Sequence, residues 1–372
     1  MTTIYIIRHA EAEGNRYRRI HGQYNSVVTA RGWKQIAALA KRFSNTHIDA
    51  VYSSDLTRTR MTASSIYKTH GLPLHTTPRL REVFMGVWED EPWGEAEQKE
   101  PEQLYCFNYD PENWTIEGRE DIYSLRERIK NVILDIAAEH DGETVAVFTH
   151  GCAIRAFISY VKGDPPKKLK DTPYCDNTAV AMLHVENGDI EIVYDGDNTH
   201  LPKELSTFRK QHWWEDEDAM DRNNLWYRDY DPASDADLYS ACLADTDICR
   251  TDDKVPAADP AEKDRSVYIA MCEQYPAGII ELETQRGSEE GAGWISFYYI
   301  LPEYRRRQMS IQLIGQATSV FRALGRDRIR VAVPESNQTA MEFFRSAGFR
   351  DTELGKPGCY SVLELDISLD FK

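Results

Sequence analysis

Two short apolar runs that each end in a histidine constrain this chain more than any other feature. Thr3-Ile4-Tyr5-Ile6-Ile7 breaks off at Arg8-His9, and Thr144-Val145-Ala146-Val147-Phe148-Thr149 breaks off at His150-Gly151. Continuous β-branched and aromatic runs of this length read as strands buried on both faces. In open α/β sheets, ligands sit outside the carboxyl ends of such strands, and Arg8, His9 and His150 all stand at those ends. Two strands that deliver a histidine at the same end can bring both into one pocket. A fixed guanidinium charge beside an imidazole suits an anion that the imidazole then attacks. An amphipathic helix (Ile154, Phe157, Ile158, Val161) follows His150 directly.

A chain of 372 residues is long enough for two domains with full cores. Its 44 Lys and Arg against 61 Asp and Glu give a net charge of -17. A field of that sign argues against nucleic acid or an anionic membrane as partner. The start lacks a basic segment ahead of an apolar signal core, and no apolar run approaches the ~20 residues of a membrane span. The 7 cysteines are scattered without a Cys-x-x-Cys pair, which fits reduced thiols better than a disulfide framework or a zinc site. A cytoplasmic protein is expected.

Along the chain, Arg16, Arg18, Arg19 and His21 crowd one loop, read either as a solvated basic loop or as a rim for a second anionic group. Thr29 opens a helix whose face carries Ile36, Leu39, Ala40 and Phe43. The strand at Ala50 to Ser53 runs into Ser54-Asp55, expected to cap a helix beginning near Leu56. Arg58 then falls in the first helical turn, where the dipole favours an anion, while Arg60 faces elsewhere. Residues 88–121 are acidic and aromatic, read as a lid or as a solvated helical insert. A helix over Ile122 to Ala138 and strands near Val180 to Val185 and Ile190 to Tyr194 follow. Residues 206–221, with Trp213-Trp214 ahead of Glu215-Asp216-Glu217-Asp218, are read as a linker.

The first half resembles the histidine phosphatase (phosphoglycerate mutase-like) family through four ordered blocks. These are Ile7-Arg8-His9-Ala10-Glu11 to Asn15, Ser53 to Ala63 with Arg58, Leu80-Arg81-Glu82 to Glu89, and Thr149-His150-Gly151. Ala10 stands where Gly is usual. The resemblance implies a three-layer α/β/α domain over residues 1–205. It implies His9 as the nucleophile, and Arg8, Asn15, Arg58 and His150 as phosphate ligands. It also makes Glu82 the general acid, with Glu89 as the backup. The implied activity is a metal-independent phosphomonoesterase acting on a small phosphorylated metabolite, with a phosphoglycerate mutase-type phosphotransferase as the alternative.

The second half starts near Leu225, with Trp226-Tyr227-Arg228 as a first strand and residues 234–250 helical in composition. Strands at Val267 to Met271 and Gly278 to Glu283 follow. The run Gly293 to Leu301 then leads into Pro302-Glu303-Tyr304-Arg305-Arg306-Arg307-Gln308-Met309-Ser310, a strand, a basic turn and a helix start. Backbone amides at such a turn can cradle a pyrophosphate. With Asn337, Ala340 and Gly348-Phe349 farther on, residues 222–372 resemble the GNAT N-acetyltransferase superfamily. That implies an α+β acyl-CoA N-acyltransferase fold. It also implies that Arg305, Arg306, Arg307, Gln308, Met309, Ser310 and Asn337 contact acetyl-CoA. Gln308 replaces a usual Gly, and Phe344 replaces a usual Tyr that protonates the leaving thiolate. An acetyltransferase and a non-catalytic acyl-CoA-binding or regulatory module are both open on this reading. A protein built from both folds and catalysing nothing is opposed by the intact set Arg8, His9, Arg58, Glu82 and His150.

Overall fold

The computed structural model describes residues 1–209, 223–246 and 264–371. The chain divides into two compact units. The first comprises Met1–Glu91, Lys99–Asp221 and Asp370–Lys372; the second comprises Pro92–Gln98 and Arg222–Leu369.

In the first unit the opening apolar run forms β1 (Thr2–Arg8), followed by α1 (Glu13–Tyr17) and α2 (Ala30–Phe43). Then come β2 (Ala50–Ser54), α3 (Thr57–His70) and β3 (Leu74–Thr77). Helix α4 (Trp93–Lys99) falls, but for Lys99, in the segment belonging to the second unit. The first unit continues through α5 (Pro101–Tyr109), α6 (Ile122–Glu139), β4 (Thr144–Thr149) and α7 (Gly151–Val161). It closes its sheet with β5 (Val180–Glu186) and β6 (Asp189–Asp197).

The strand order is β3-β2-β4-β1-β5-β6, parallel from β3 to β1 and antiparallel beyond. β1 and β4 are neighbours with Arg8 beside Thr149, so the next residue on each strand is a histidine. On one face Ile7, Val51 and Phe148 pack with Leu39 and Phe43 of α2 and Ala63 and Ile66 of α3. Strand alternation sends Ile4, Ile6, Val145 and Val147, all buried, to the other face, where α6 and α7 lie against β1.

Local signals explain several helix ends. Thr29 caps α2 by accepting from the Gly32 amide, and Asp121 caps α6 through the amides of Tyr123 and Ser124, each cap worth about 1 kcal/mol. The expected Ser54-Asp55 cap of α3 does not form: the N-cap is Leu56. Asp55 is taken instead by Arg81, whose Nε and Nη2 reach its two carboxylate oxygens at 2.7 and 2.6 Å. The acidic insert has an apolar centre, with Trp88 and Trp114 buried and Phe107 edge-on to Trp114 at 5.0 Å. Ala10 is buried in a cluster with Val28, Ile36 and Met61, against which Phe371 packs. The expected linker does not begin at 206. Ser206 and Thr207 are buried, while Trp213, Trp214 and the acidic run 215–218 lie outside the described residues.

The second unit comprises β7 (Trp226–Asp229), α8 (Pro232–Ala244), β8 (Arg265–Cys272), β9 (Tyr275–Glu283) and β10 (Ala292–Ile300). It goes on with α9 (Ser310–Ala323), β11 (Arg328–Pro334), α10 (Gln338–Ala347), β12 (Arg350–Asp351) and β13 (Tyr360–Asp366). The helical stretch expected over 234–250 ends at Ala244; residues 247–250 lie outside the described ones. The sheet runs β12-β13-β11-β10-β9-β8-β7. β10 pairs with β11, in parallel, only from Ala292 to Ile295, and a bulge lies between Ile295 and Phe297. From Ser296 on, β10 is paired on its β9 side alone, so the sheet opens. Gly293 is required where Phe321 of α9 covers β10, since a Cβ there would sit 2.2 Å from that ring. Among the described residues no helix is long and apolar enough to cross a membrane.

Candidate active site

At the carboxyl ends of β1 and β4 the His9 and His150 rings lie 5.3 Å apart, centroid to centroid. The His9 amide donates to the Thr149 carbonyl at 3.0 Å, which ties the two strand ends together. His9 Nδ1 lies 2.8 Å from the Ala10 carbonyl. A carbonyl can only accept, so Nδ1 carries the proton and Nε2 keeps its lone pair. Burial holds the His9 pKa well below its ordinary value, helped by the charges of Arg58 and Arg8. His9 is therefore a neutral imidazole with a free lone pair.

Donors surround it. Arg8 gives Nη1 to the Cys175 carbonyl at 2.6 Å, and its buried Nε has no partner among the described residues. Arg58, in the first turn of α3 and 1% exposed, gives Nη1 to the Tyr24 carbonyl at 2.9 Å and Nη2 to the Gly22 carbonyl at 2.6 Å. Its Nε is likewise buried and unpartnered. Burial lowers the Arg58 pKa to about 10, so it stays charged. Both ring nitrogens of His150 are buried without a partner among the described residues. Asn15 accepts from the Ala12 amide at 3.1 Å and from Asn177 Nδ2 at 3.4 Å. Buried polar groups are almost always satisfied, so the unsatisfied nitrogens of Arg8, Arg58 and His150 are a departure that calls for an explanation.

Glu82 is held at the amino terminus of α7. It accepts from the Cys152 amide at 2.9 Å, the Ala153 amide at 2.8 Å and the Val83 amide at 2.9 Å. Burial raises its pKa, and these amides and Arg58 oppose the rise without cancelling it. No surface ion pair holds it, since Arg79 pairs with Asp135 and Arg81 with Asp55. Glu89 is committed to the amides of Gln23, Tyr24 and Met85, so it shapes the loop that Arg58 holds.

The basic loop meets the acidic insert residue by residue. Arg19 Nε and His21 Nε2 lie 3.0 and 3.2 Å from the same Asp90 oxygen. Arg19 and His21 are thus anchors between two segments and not a solvated rim. His21 Nδ1 is buried and unpartnered, and burial lowers its pKa against the pull of Asp90. Sequence reasoning missed the loop ahead of β5. There the Cys175 carbonyl holds Arg8, and Asn177 Nδ2 donates to the His9 carbonyl at 2.9 Å. Its only signal was the polar run Asp176-Asn177-Thr178 before an apolar strand.

In the second unit, the turn before α9 puts Arg306 at φ 65° and Gln308 at φ 60°, the left-handed region that favours glycine. The amides of Gln308, Met309 and Ser310 have no hydrogen-bond partner among the described residues. Arg305 turns away: its Nε donates to the Ile300 carbonyl at 2.9 Å and its Nη2 lies 3.3 Å from Asp245. Asn337 caps α10, accepting from the Ala340 amide at 3.1 Å. Phe344 is buried among Tyr298, Phe343 and Phe349.

A neutral imidazole set among arginines at the carboxyl end of a mostly parallel sheet characterises the first unit, and a sheet that opens ahead of a positive-φ turn characterises the second. The model of the histidine phosphatase superfamily (branch 1) matches residues 4–198, more than half of the 372-residue chain, and the chain belongs to that superfamily. The acetyltransferase (GNAT) family model matches residues 220–349. Phosphoserine phosphatase 1 of Hydrogenobacter thermophilus is 30% identical over 186 residues, covering 50% of this chain and 88% of that protein. A metal-independent phosphoserine phosphatase of Arabidopsis thaliana is 33% identical over 205 residues, 54% of this chain and 84% of its own. Among solved structures, YhfR of Bacillus stearothermophilus superposes with a TM-score of 0.52 at 29% identity, over 54% of this chain and 99% of its own.

Proposed function

We propose that residues 1–205, completed by the buried residues just after them, form a metal-independent phosphomonoesterase working through a phosphohistidine. The observation that carries this is the set of buried, unpartnered nitrogens on Arg8, Arg58 and His150 around the bare Nε2 of His9. His9 Nε2 attacks phosphorus as the ester P–O bond breaks. Arg8, Arg58 and His150, with Asn15, hold the equatorial oxygens, and Glu82 gives its proton to the leaving oxygen. Ionised Glu82 then takes a proton from water as that water attacks phosphorus, and the P–N bond breaks. Arginine and imidazole donors suit an anion, and no group of three or more His, Cys, Asp or Glu side chains is placed to hold a metal among the described residues. The relatives named as phosphoserine phosphatases make a small phosphorylated amino acid the first substrate to try. Hydrolysis is favoured over a mutase reaction, which requires keeping the phosphoryl group for a second substrate.

The test is turnover of an aryl phosphate, and of phosphoserine, in the presence of a chelator. Chelator leaves the wild type active, His9→Ala loses a factor on the order of 10⁴ or more, and Glu82→Gln loses about 10² to 10⁴. Full activity in His9→Ala would sink the assignment.

For residues 222–372 we assign acyl-CoA binding at the turn 306–310, beside the opening of the sheet after Ile295. Phe344 has no proton to give, and the Tyr298 hydroxyl is engaged by the Ser310 carbonyl. These observations favour a binding or regulatory module over an acetyltransferase. Calorimetric acetyl-CoA binding without acetylation of an amine panel is the expected result, and acetyl transfer would reverse the preference.

A further inference from the structure

Arg8 is closed over by residues that the sequence assigns to the joint between the two halves. Its guanidinium carbon lies 5.7 Å from the ring centroid of Phe208. The segment carrying that ring is anchored. Ser206 Oγ donates to Asp176 at 2.6 Å, and the Thr207 amide donates to the same carboxylate at 3.1 Å. Gln35 Nε2 donates to the Leu205 carbonyl at 2.8 Å and to Thr207 Oγ1 at 3.2 Å. Both anchors belong to the phosphate site's own support. Asp176 stands between Cys175, whose carbonyl holds Arg8, and Asn177, which holds the His9 carbonyl. Gln35 accepts from the Glu11 amide at 2.7 Å, just beyond His9.

We propose that Phe208 is a positioning residue for phosphate binding, its ring fixing the plane of the Arg8 guanidinium. The inference rests on the reading of Arg8 as a phosphate ligand. Held through Nη1 alone, a guanidinium can still turn about that hydrogen bond. A ring within ~6 Å of it offers an attractive face that stops the turn, leaving Nε aimed at the anion. Ser206 and Thr207 hold the ring's backbone to the loop that holds Arg8, so the ring and the guanidinium move as one piece.

The test uses the full chain with Phe208→Ala, Phe208→Leu and Phe208→Tyr. Inorganic phosphate binding is measured by calorimetry. The Arg8 Nε–H resonance, identified by its loss in Arg8→Lys, is followed by NMR without ligand. The Ala and Leu variants lose about fivefold in phosphate affinity, and the Tyr variant stays within about twofold of wild type. The Arg8 resonance keeps its ring-current displacement in Phe208→Tyr and loses it in the other two. Wild-type affinity in Phe208→Leu would overturn the proposal, because apolar bulk would then suffice without the ring. So would an Arg8 resonance indifferent to removal of the ring. A wild type that binds no phosphate overturns the phosphate reading and this role with it, whereas failure of the positioning role alone appears as phosphate binding that ignores the ring.

Discussion

The site proposed for phosphate in the first unit and the turn proposed for acyl-CoA in the second are built from different material. In the first, the candidate groups are side chains at the ends of β1 and β4, in the first turn of α3 and in the loop at Glu82, and three of them are fixed by further contacts. Arg8 is held by a carbonyl, Arg58 by the loop 22–24, Glu82 by the amides of α7. In the second, the candidate groups are backbone amides at the start of α9, and two of the side chains expected to join them are engaged elsewhere. Arg305 joins Asp245, and Asn337 caps α10. A side-chain site fails when one residue changes, whereas a backbone site tolerates changes of side chain while its φ angles survive. On the proposed reading, Arg306 and Gln308 can stand at positive φ because the turn works through its amides and not through their side chains.

His150→Ala gives the largest test of that contrast. It deletes an N–H donor that has no other partner among the described residues, so kcat on an aryl phosphate falls by about 10² to 10³. Phe344→Tyr in the second unit leaves acetyl-CoA affinity unchanged. A loss below tenfold in His150→Ala would break the view that the first site is concentrated in a few side chains.

Acid comes next. All 10 histidines precede residue 222. His9, His21 and His150 are held below their ordinary pKa of 6.5 chiefly by burial, and His200 is lowered to about 4. The unfolded chain binds these protons near pH 6.5 and the folded chain does not. Stability is therefore full above 6.5 and is lost as the pH falls toward the folded values. Glu82, with its pKa raised, works in the opposite sense but is a single group. In calorimetry between pH 7 and pH 5 the first unit's unfolding moves down by a few kcal/mol, on the order of 1.4 kcal/mol per histidine and pH unit at most, and the second unit's does not. Equal movement of both would remove the distinction.

The smallest effect is at the turn. Arg306→Gly and Gln308→Gly each relieve left-handed strain of about 1 kcal/mol. Each is expected to raise the second unit's melting temperature by a few degrees while acetyl-CoA affinity holds or improves. A fall in stability would show that these side chains contribute contacts worth more than the strain.

Part of the candidate site was legible because some of its residues end or begin an element with a strong pattern, whereas Glu82 and Asn15 were named only through the family resemblance. His9 and His150 close buried strands, and Arg58 falls in a first helical turn. What could not be read was pairing. Nothing in the sequence says that β4 lies beside β1, that Glu82 meets amides some 70 positions on, or that the basic loop and the acidic insert meet through Asp90. Such contacts depend on tertiary closure and leave no local periodicity. The same holds for Asn177 and for Ser206 and Thr207, polar residues whose composition suggested loop and linker. In the second half the strand and helix order was readable, but the diversion of Arg305 depends on Asp245, 60 positions away.

The division of the chain also bears on how such a protein can be taken apart. Pro92–Gln98 belongs to the second unit although it interrupts the first, and Asp370–Lys372 belongs to the first although it follows the second. Phe371 packs against the cluster around Ala10, and Arg60 donates to its carbonyl. No single scission releases two whole pieces. A fragment stopping near residue 209 carries a helix that is not its own and lacks the aromatic side chain at position 371. The two halves are therefore not cassettes to be shuffled by cutting once and joining once; exchanging the first for a homologue means rewriting three stretches of sequence together, and exchanging the second means rewriting two.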